Sequence, residues 1–130
     1  LKRSGKALIV DCHSFPKAPL PYEMDQTKDR PQICVGVDEF HTPPELAELV
    51  AKGFQRSGYS VGINRPFSGS IVPLSHFQTT SSVYSLMIEI RRDLYMDEPS
   101  GLKTKNFVEI RSQVAQILED LSTFEISMRL

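Results

Sequence analysis

Short apolar runs alternate with segments of helical period, and this alternation restricts the fold more than any other feature of the chain. Ala7-Leu8-Ile9-Val10, Ile33-Cys34-Val35-Gly36-Val37, Tyr59 to Ile63 and Val83 to Ile90 each read as a strand bounded by polar residues, Gly or Pro. Between the second and third runs, Leu46, Leu49, Val50 and Phe54 recur at helical spacing over Glu45 to Ser57. Thr42, before Pro43-Pro44, is expected to cap that helix, and Gly58 to close it in the left-handed conformation. A second helix is expected from Thr104 to Leu121, with Phe107, Ile110, Val114, Ile117 and Leu118 on one face and residues 122–130 as a loose tail. Strands alternating with helices give an α/β layered fold around a parallel or mixed sheet, in a single domain over 1–130.

Two stretches resist this pattern. Lys17 to Gln32 is a polar loop with Pro19, Pro21 and Pro31, and loops this long are usually functional or disordered. Ile71 to Leu74 is extended, but Pro73 restricts it to a sheet edge or a hairpin arm.

With 130 residues the chain can bury a real core, and its composition is that of an ordinary globular protein. A net charge of −1 gives no electrostatic attraction to nucleic acid or to an anionic membrane, so neither is expected as a partner. No apolar stretch reaches the roughly 20 residues of a bilayer span. The basic start, Leu1 to Lys6, is followed by no long apolar region and is not a signal peptide. Cys12 and Cys34 both sit in apolar runs and are expected to be buried, reduced thiols of a cytoplasmic protein.

Four polar clusters follow or interrupt strands: Asp11 with His13, Asp38 with His41, Asn64 with Arg65, and Glu89 with Arg92. Strand ends on one side of a sheet converge, so these are the candidates for a common site. Glu89 is the only carboxylate within an apolar run, and desolvation there would raise its pKa toward that of a general base or acid. The competing reading is a Glu that faces solvent on an edge strand, or one neutralised by Arg91 or Arg92. His13 is either a metal ligand or a hydrogen-bonding residue in a loop. His41 and His76 are expected to be loop or surface residues. Arg65 could pair with a substrate carboxylate, although an exposed turn before Pro66 is the simpler reading. The chain contains no HxxE, HxxH or CxxC, so no complete zinc motif is present.

Val10-Asp11-Cys12-His13-Ser14-Phe15-Pro16, Gly62 to Gly69 and Met87 to Met96 together resemble, in order and spacing, the N-formylglutamate amidohydrolases. The resemblance implies a three-layer α/β/α fold similar to that of zinc exopeptidases. It also implies hydrolysis of N-formyl-L-glutamate to formate and L-glutamate in histidine breakdown. It makes His13 a zinc ligand, with Asp11 and Ser14 as residues supporting it, and Glu89 the carboxylate that activates water. Asn64 would line the pocket of the substrate, a small N-acyl amino acid, and Arg92 would hold its carboxylate or brace Glu89, with Arg65 counted among the substrate-binding residues. Two positions depart from the family pattern: Arg91 stands in place of Asn, and Ser70 in place of Gly. Family members are longer and carry their other zinc ligands upstream of the Asp-x-His-Ser strand. The chain is therefore expected to be a C-terminal portion with an incomplete zinc site, dimeric or paired with a missing N-terminal segment. The alternative is a non-catalytic α/β module that binds a small carboxylate or a partner chain.

Overall fold

A computed structural model describes residues 1–124. Strand β1 (Ala7–Phe15) is followed by β2 (Ile33–Gly36), helix α1 (Pro44–Arg56), β3 (Val61–Ile63), β4 (Val83–Arg91) and helix α2 (Phe107–Thr123). The strands form one sheet in the order β1-β4-β2-β3. β1 runs parallel to β4 and β2 parallel to β3, while β4 and β2 are antiparallel, so the sheet is mixed.

Alternation along the strands divides the sheet into two chemically distinct faces. Ile33 and Val35 of β2 and Leu86 and Ile88 of β4 meet Leu46, Val50 and Phe54 of α1 and Ile117 and Leu121 of α2 in one core. Both helices serve this face. Among the described residues the opposite face is covered by loops instead of a helix, and it carries Asp11, His13, Cys34, Met87 and Glu89. The α/β class and the mixed sheet are as the sequence indicates. No helix among the described residues is long and apolar enough to cross a membrane.

Several local expectations are corrected. β1 does not stop at Val10 but runs to Phe15, pairing with β4 at every position from Ala7↔Val83 to Phe15↔Arg91. An edge strand tolerates polar residues because one of its sides meets solvent. For the same reason Cys12 is exposed: only Leu8 and Val10 of this strand pack against the core. Cys34, in the interior strand β2, is buried as expected.

Thr42 does not cap α1. Pro43 occupies the cap without a side-chain hydrogen bond, and the Thr42 hydroxyl donates to the Ser85 carbonyl while accepting from Asp38 N at 2.9 Å. Gly58 does take the left-handed conformation, φ +88°. His41 is fully buried, not a surface residue. Its Nδ1 bonds the Val83 carbonyl at 2.7 Å, its Nε2 accepts from Gln78 N at 2.9 Å, and its ring lies beside those of Phe40 and Phe77. Ile71 to Leu74 forms no strand, although the Ile71 carbonyl accepts from Ser85 Oγ at 2.7 Å. Ser122 and Thr123, expected in the tail, belong to α2, and Phe124 is its C-cap; residues 125–130 of the expected tail lie outside the described residues.

Candidate active site

The ladder between β1 and β4 pairs His13 with Glu89, and that between β4 and β2 pairs Glu89 with Cys34. The three residues form a row across adjacent strands on the loop-covered face. Neighbouring strands lie about 4.8 Å apart, so the row brings imidazole and carboxylate into electrostatic range.

Asp11 sits two residues before His13, hence on the same face. Its Oδ1 bonds His13 Nε2 at 2.7 Å. A carboxylate on one ring nitrogen fixes the ring and leaves the other nitrogen to a ligand. His13 Nδ1 makes no hydrogen bond among the described residues, and the side chain is half-exposed.

Glu89 is buried at 7% exposure, and its Oε2 has no hydrogen-bond partner among the described residues. β4 is an interior strand, so this is not a solvent-facing edge Glu. Nor is it tied to Arg91, whose guanidinium is taken by Asp93 and the Arg30 carbonyl. Burial pushes the Glu89 carboxyl above its ordinary value; His13 and Arg92 pull it down, and Asp11 and Glu23 push it further up. An unpartnered, desolvated carboxylate beside an imidazole has the chemistry of a group that accepts and returns a proton. In Cys34, burial raises the thiol, whose Sγ donates to the Phe67 carbonyl at 3.1 Å, so it braces a turn and is not a nucleophile.

Arg92 Nε donates to Ser14 Oγ and Nη2 to the Ser14 carbonyl, each at 3.2 Å. Ser14 thus supports Arg92, and its side chain, which as the next residue along the strand points to the other face, makes no hydrogen bond to His13. Asn64 is left-handed, φ +53°, and its Oδ1 accepts from Val37 N at 2.8 Å and Gly69 N at 3.2 Å. It staples the turn after β3 and lines an open polar cleft with Asp38, Ser68 and Gln78. Arg65 is exposed and donates to the Asp29 carbonyl.

Of the four clusters, Asp11–His13 and Glu89–Arg92 come together. Among the described residues the side chains of Asp38, His41, Asn64 and Arg65 make no hydrogen bond to those of His13, Glu89 or Arg92. Strand direction accounts for Asp38–His41: β2 is antiparallel to β4, so the chain after β2 meets the start of β4, where His41 bonds the Val83 carbonyl. The turn after β3 does reach the site face, through Phe67, whose carbonyl accepts from Cys34 Sγ and whose ring meets that of Phe15.

Gly36 lets the turn carrying Asn64 close on the sheet. A Cβ there would stand 2.2 Å from the Gly69 carbonyl oxygen and 2.5 Å from Met87 Cε. The first of these is backbone and cannot swing aside. Gly36→Ala is expected to cost about 1–3 kcal/mol of stability, as overpacking does, read as a lower urea midpoint at unchanged slope.

Sequence reasoning passed over Glu23 and Arg30, a buried ion pair in the loop between β1 and β2. The length of that loop was the only sequence signal for it.

Among the described residues no group of three or more His, Cys, Asp or Glu side chains is placed to hold a metal ion. A catalytic zinc takes three protein ligands and keeps one position open. His13, oriented by Asp11, has the chemistry of one such ligand; the described residues do not make up the whole site.

Residues 1–96, which contain every residue of this site, match the family model of N-formylglutamate amidohydrolase. Among solved structures the chain is similar to the N-formylglutamate amidohydrolase of Ralstonia eutropha JMP134, at 25% identity and a TM-score of 0.77. The match covers 93% of this chain and 45% of that one, so the chain spans less than half of its structural relative. No curated protein matches. The matched segment carries the Asp11–His13 pair, the Glu89 strand and the Arg92 turn in one register, and by that match the chain belongs to the N-formylglutamate amidohydrolase family.

Proposed function

We propose that this chain carries the proton-transfer side of the active site of a metal-dependent amidohydrolase that cleaves N-formyl-L-glutamate to formate and L-glutamate. One observation carries the reading: the buried Oε2 of Glu89 has no partner, and Glu89 stands in ladder register with the Asp11–His13 pair. Family membership supplies the reaction class.

In this scheme Glu89 takes a proton from the attacking water as its oxygen bonds the formyl carbon. As the C–N bond breaks, Glu89 returns that proton to the leaving nitrogen, releasing formate and the free amine. Arg92, held by Ser14, keeps one end of its guanidinium for the substrate carboxylate. Asp11 holds the His13 ring so that Nδ1 faces outward as one zinc ligand, with the remaining protein ligands drawn from outside the described residues. Zinc, when bound, would polarise the formyl carbonyl and favour deprotonation of water. The two unpaired cysteines suit a reducing compartment, and we place the reaction in the cytoplasm.

The test is formate release from N-formyl-L-glutamate by the intact gene product. Activity is expected with stoichiometric zinc and is expected to vanish on chelation and return with added zinc. Absence of formate release from the zinc-loaded protein would overturn the reading.

A further inference from the structure

The loop between β1 and β2 is held over the site face by a buried charge pair that the proton-transfer scheme leaves unused. Arg30 is 4% exposed, and its guanidinium carbon lies 5.8 Å from the ring centres of both Phe15 and Phe67. Phe15 ends β1 two residues beyond His13 on the same face, and Phe67 belongs to the turn that Asn64 opens. The two rings meet edge to face with centroids 5.7 Å apart. Arg30 Nη1 donates to the Pro16 carbonyl at 3.2 Å, and Nη2 donates to the Asp25 carbonyl at 3.1 Å and to the Glu23 carboxylate. The Arg30 carbonyl in turn accepts from Arg91 Nη1 at 2.7 Å. One residue thereby joins the end of β1, the bend of its own loop, the turn after β3 and the end of β4.

Packing alone does not call for a charge in this slot. Apolar residues of similar volume usually replace a buried ion pair without loss of stability. What they cannot replace is direction: the guanidinium fork fixes two carbonyls and a carboxylate at set angles. The acidic end of the pair also stands near Glu89, whose carboxyl it helps to push up.

We propose that the Glu23–Arg30 pair is a positioning device, which sets the Lys17–Gln32 loop as the substrate-facing wall above Glu89 without touching the substrate. The inference rests on the amidohydrolase reading of the site. Arg30→Met, Glu23→Gln and the double variant are compared with the parent in the intact gene product. Arg30→Met strands the Glu23 charge and is expected to lose stability. It is also expected to lose about 100-fold in kcat for formate release, as misplacement by about 1 Å can cause, with a smaller change in KM. The double variant strands no charge and regains stability, yet its kcat stays low because the directed bonds are gone. A double variant that recovers both stability and kcat would reduce the pair to a structural role and overturn the proposal. A readout independent of activity is hydrogen exchange. Amides of the Lys17–Gln32 loop should exchange faster in the double variant while α1 and β4 stay protected, and unchanged loop protection would overturn the proposal. A parent protein that releases no formate would overturn the functional reading instead, and loop exchange would then decide whether the pair orders the wall.

Discussion

Replacing Glu89 with glutamine is expected to lower kcat for formate release by about 10²- to 10⁴-fold, the usual contribution of a positioned proton carrier. Gln keeps the shape of the side chain and part of its hydrogen bonding but cannot take a proton from water. Because Glu89 lies between two paired strands, the substitution leaves the ladder intact. A variant with parental turnover would remove Glu89 from the mechanism. The same substitution has a second expected result, in stability. In the metal-free protein, burial holds the Glu89 carboxyl above its ordinary value. A group whose folded pKa lies above its unfolded one stabilises the fold by keeping its proton. That contribution is complete below the unfolded pKa and is lost as pH rises through the folded one. Above that folded pKa the parent bears a buried, unpartnered charge that the variant lacks. The stability of Glu89→Gln relative to the parent should therefore increase as pH is raised through that value, and the gap should close on acidification as the parent carboxyl protonates. Urea midpoints over a pH series check this, and a difference that does not change with pH would contradict it.

Phe54→Ala is expected to cost about 3–5 kcal/mol, the range for a fully buried aromatic truncated to methyl. Phe54 is 0% exposed and belongs to the cluster in which α1, α2 and the sheet all meet. Its ring also meets that of Tyr59 edge to face, with centroids 6.2 Å apart, so the truncation loses an aromatic pair as well as area. Domains of this kind are stable by only about 5–15 kcal/mol, so the variant should sit near its unfolding threshold at ambient temperature. Val108→Ala on α2 is the control: at 66% exposure it should change stability by no more than about 0.5 kcal/mol. Equal losses at the two positions would mean that the helices do not share one core.

The legible part of this fold was what periodicity encodes. Ile33 to Val37 and Val83 to Ile90 stand out because interior strands need apolar side chains on the face that meets the helices. Leu46, Val50 and Phe54 stand out because α1 buries one stripe. β1 was cut short in the sequence reading because its outer half turns Asp11 and His13 toward the site, where polarity serves chemistry and not packing. His41 does lie in a loop, but its burial was not legible, because a buried imidazole reads like an exposed one until its two backbone partners, Val83 and Gln78, are known. The side-chain partners of Asn64 were not legible because a sequence does not state how a turn folds back: its Oδ1 accepts from Val37 N and Gly69 N. Arg30 and Glu23 escaped notice because nothing in their spacing marks a pair that only loop closure creates.

The β1–β4 ladder also sets a tolerance for change in length. Side chains alternate along a strand, so a slip of one residue carries every one of them to the other face. If β1 slipped by one rung against β4, Asp11 and His13 would turn toward the helices, and Cys12 would take the place beside Glu89. Ligand, orienting carboxylate and proton carrier would part company in a single step, with each residue still present in the chain. The nine residues Ala7–Phe15 therefore act as a ruler. Substitutions along it act one position at a time, whereas inserting or deleting a single residue within it undoes the whole site at once.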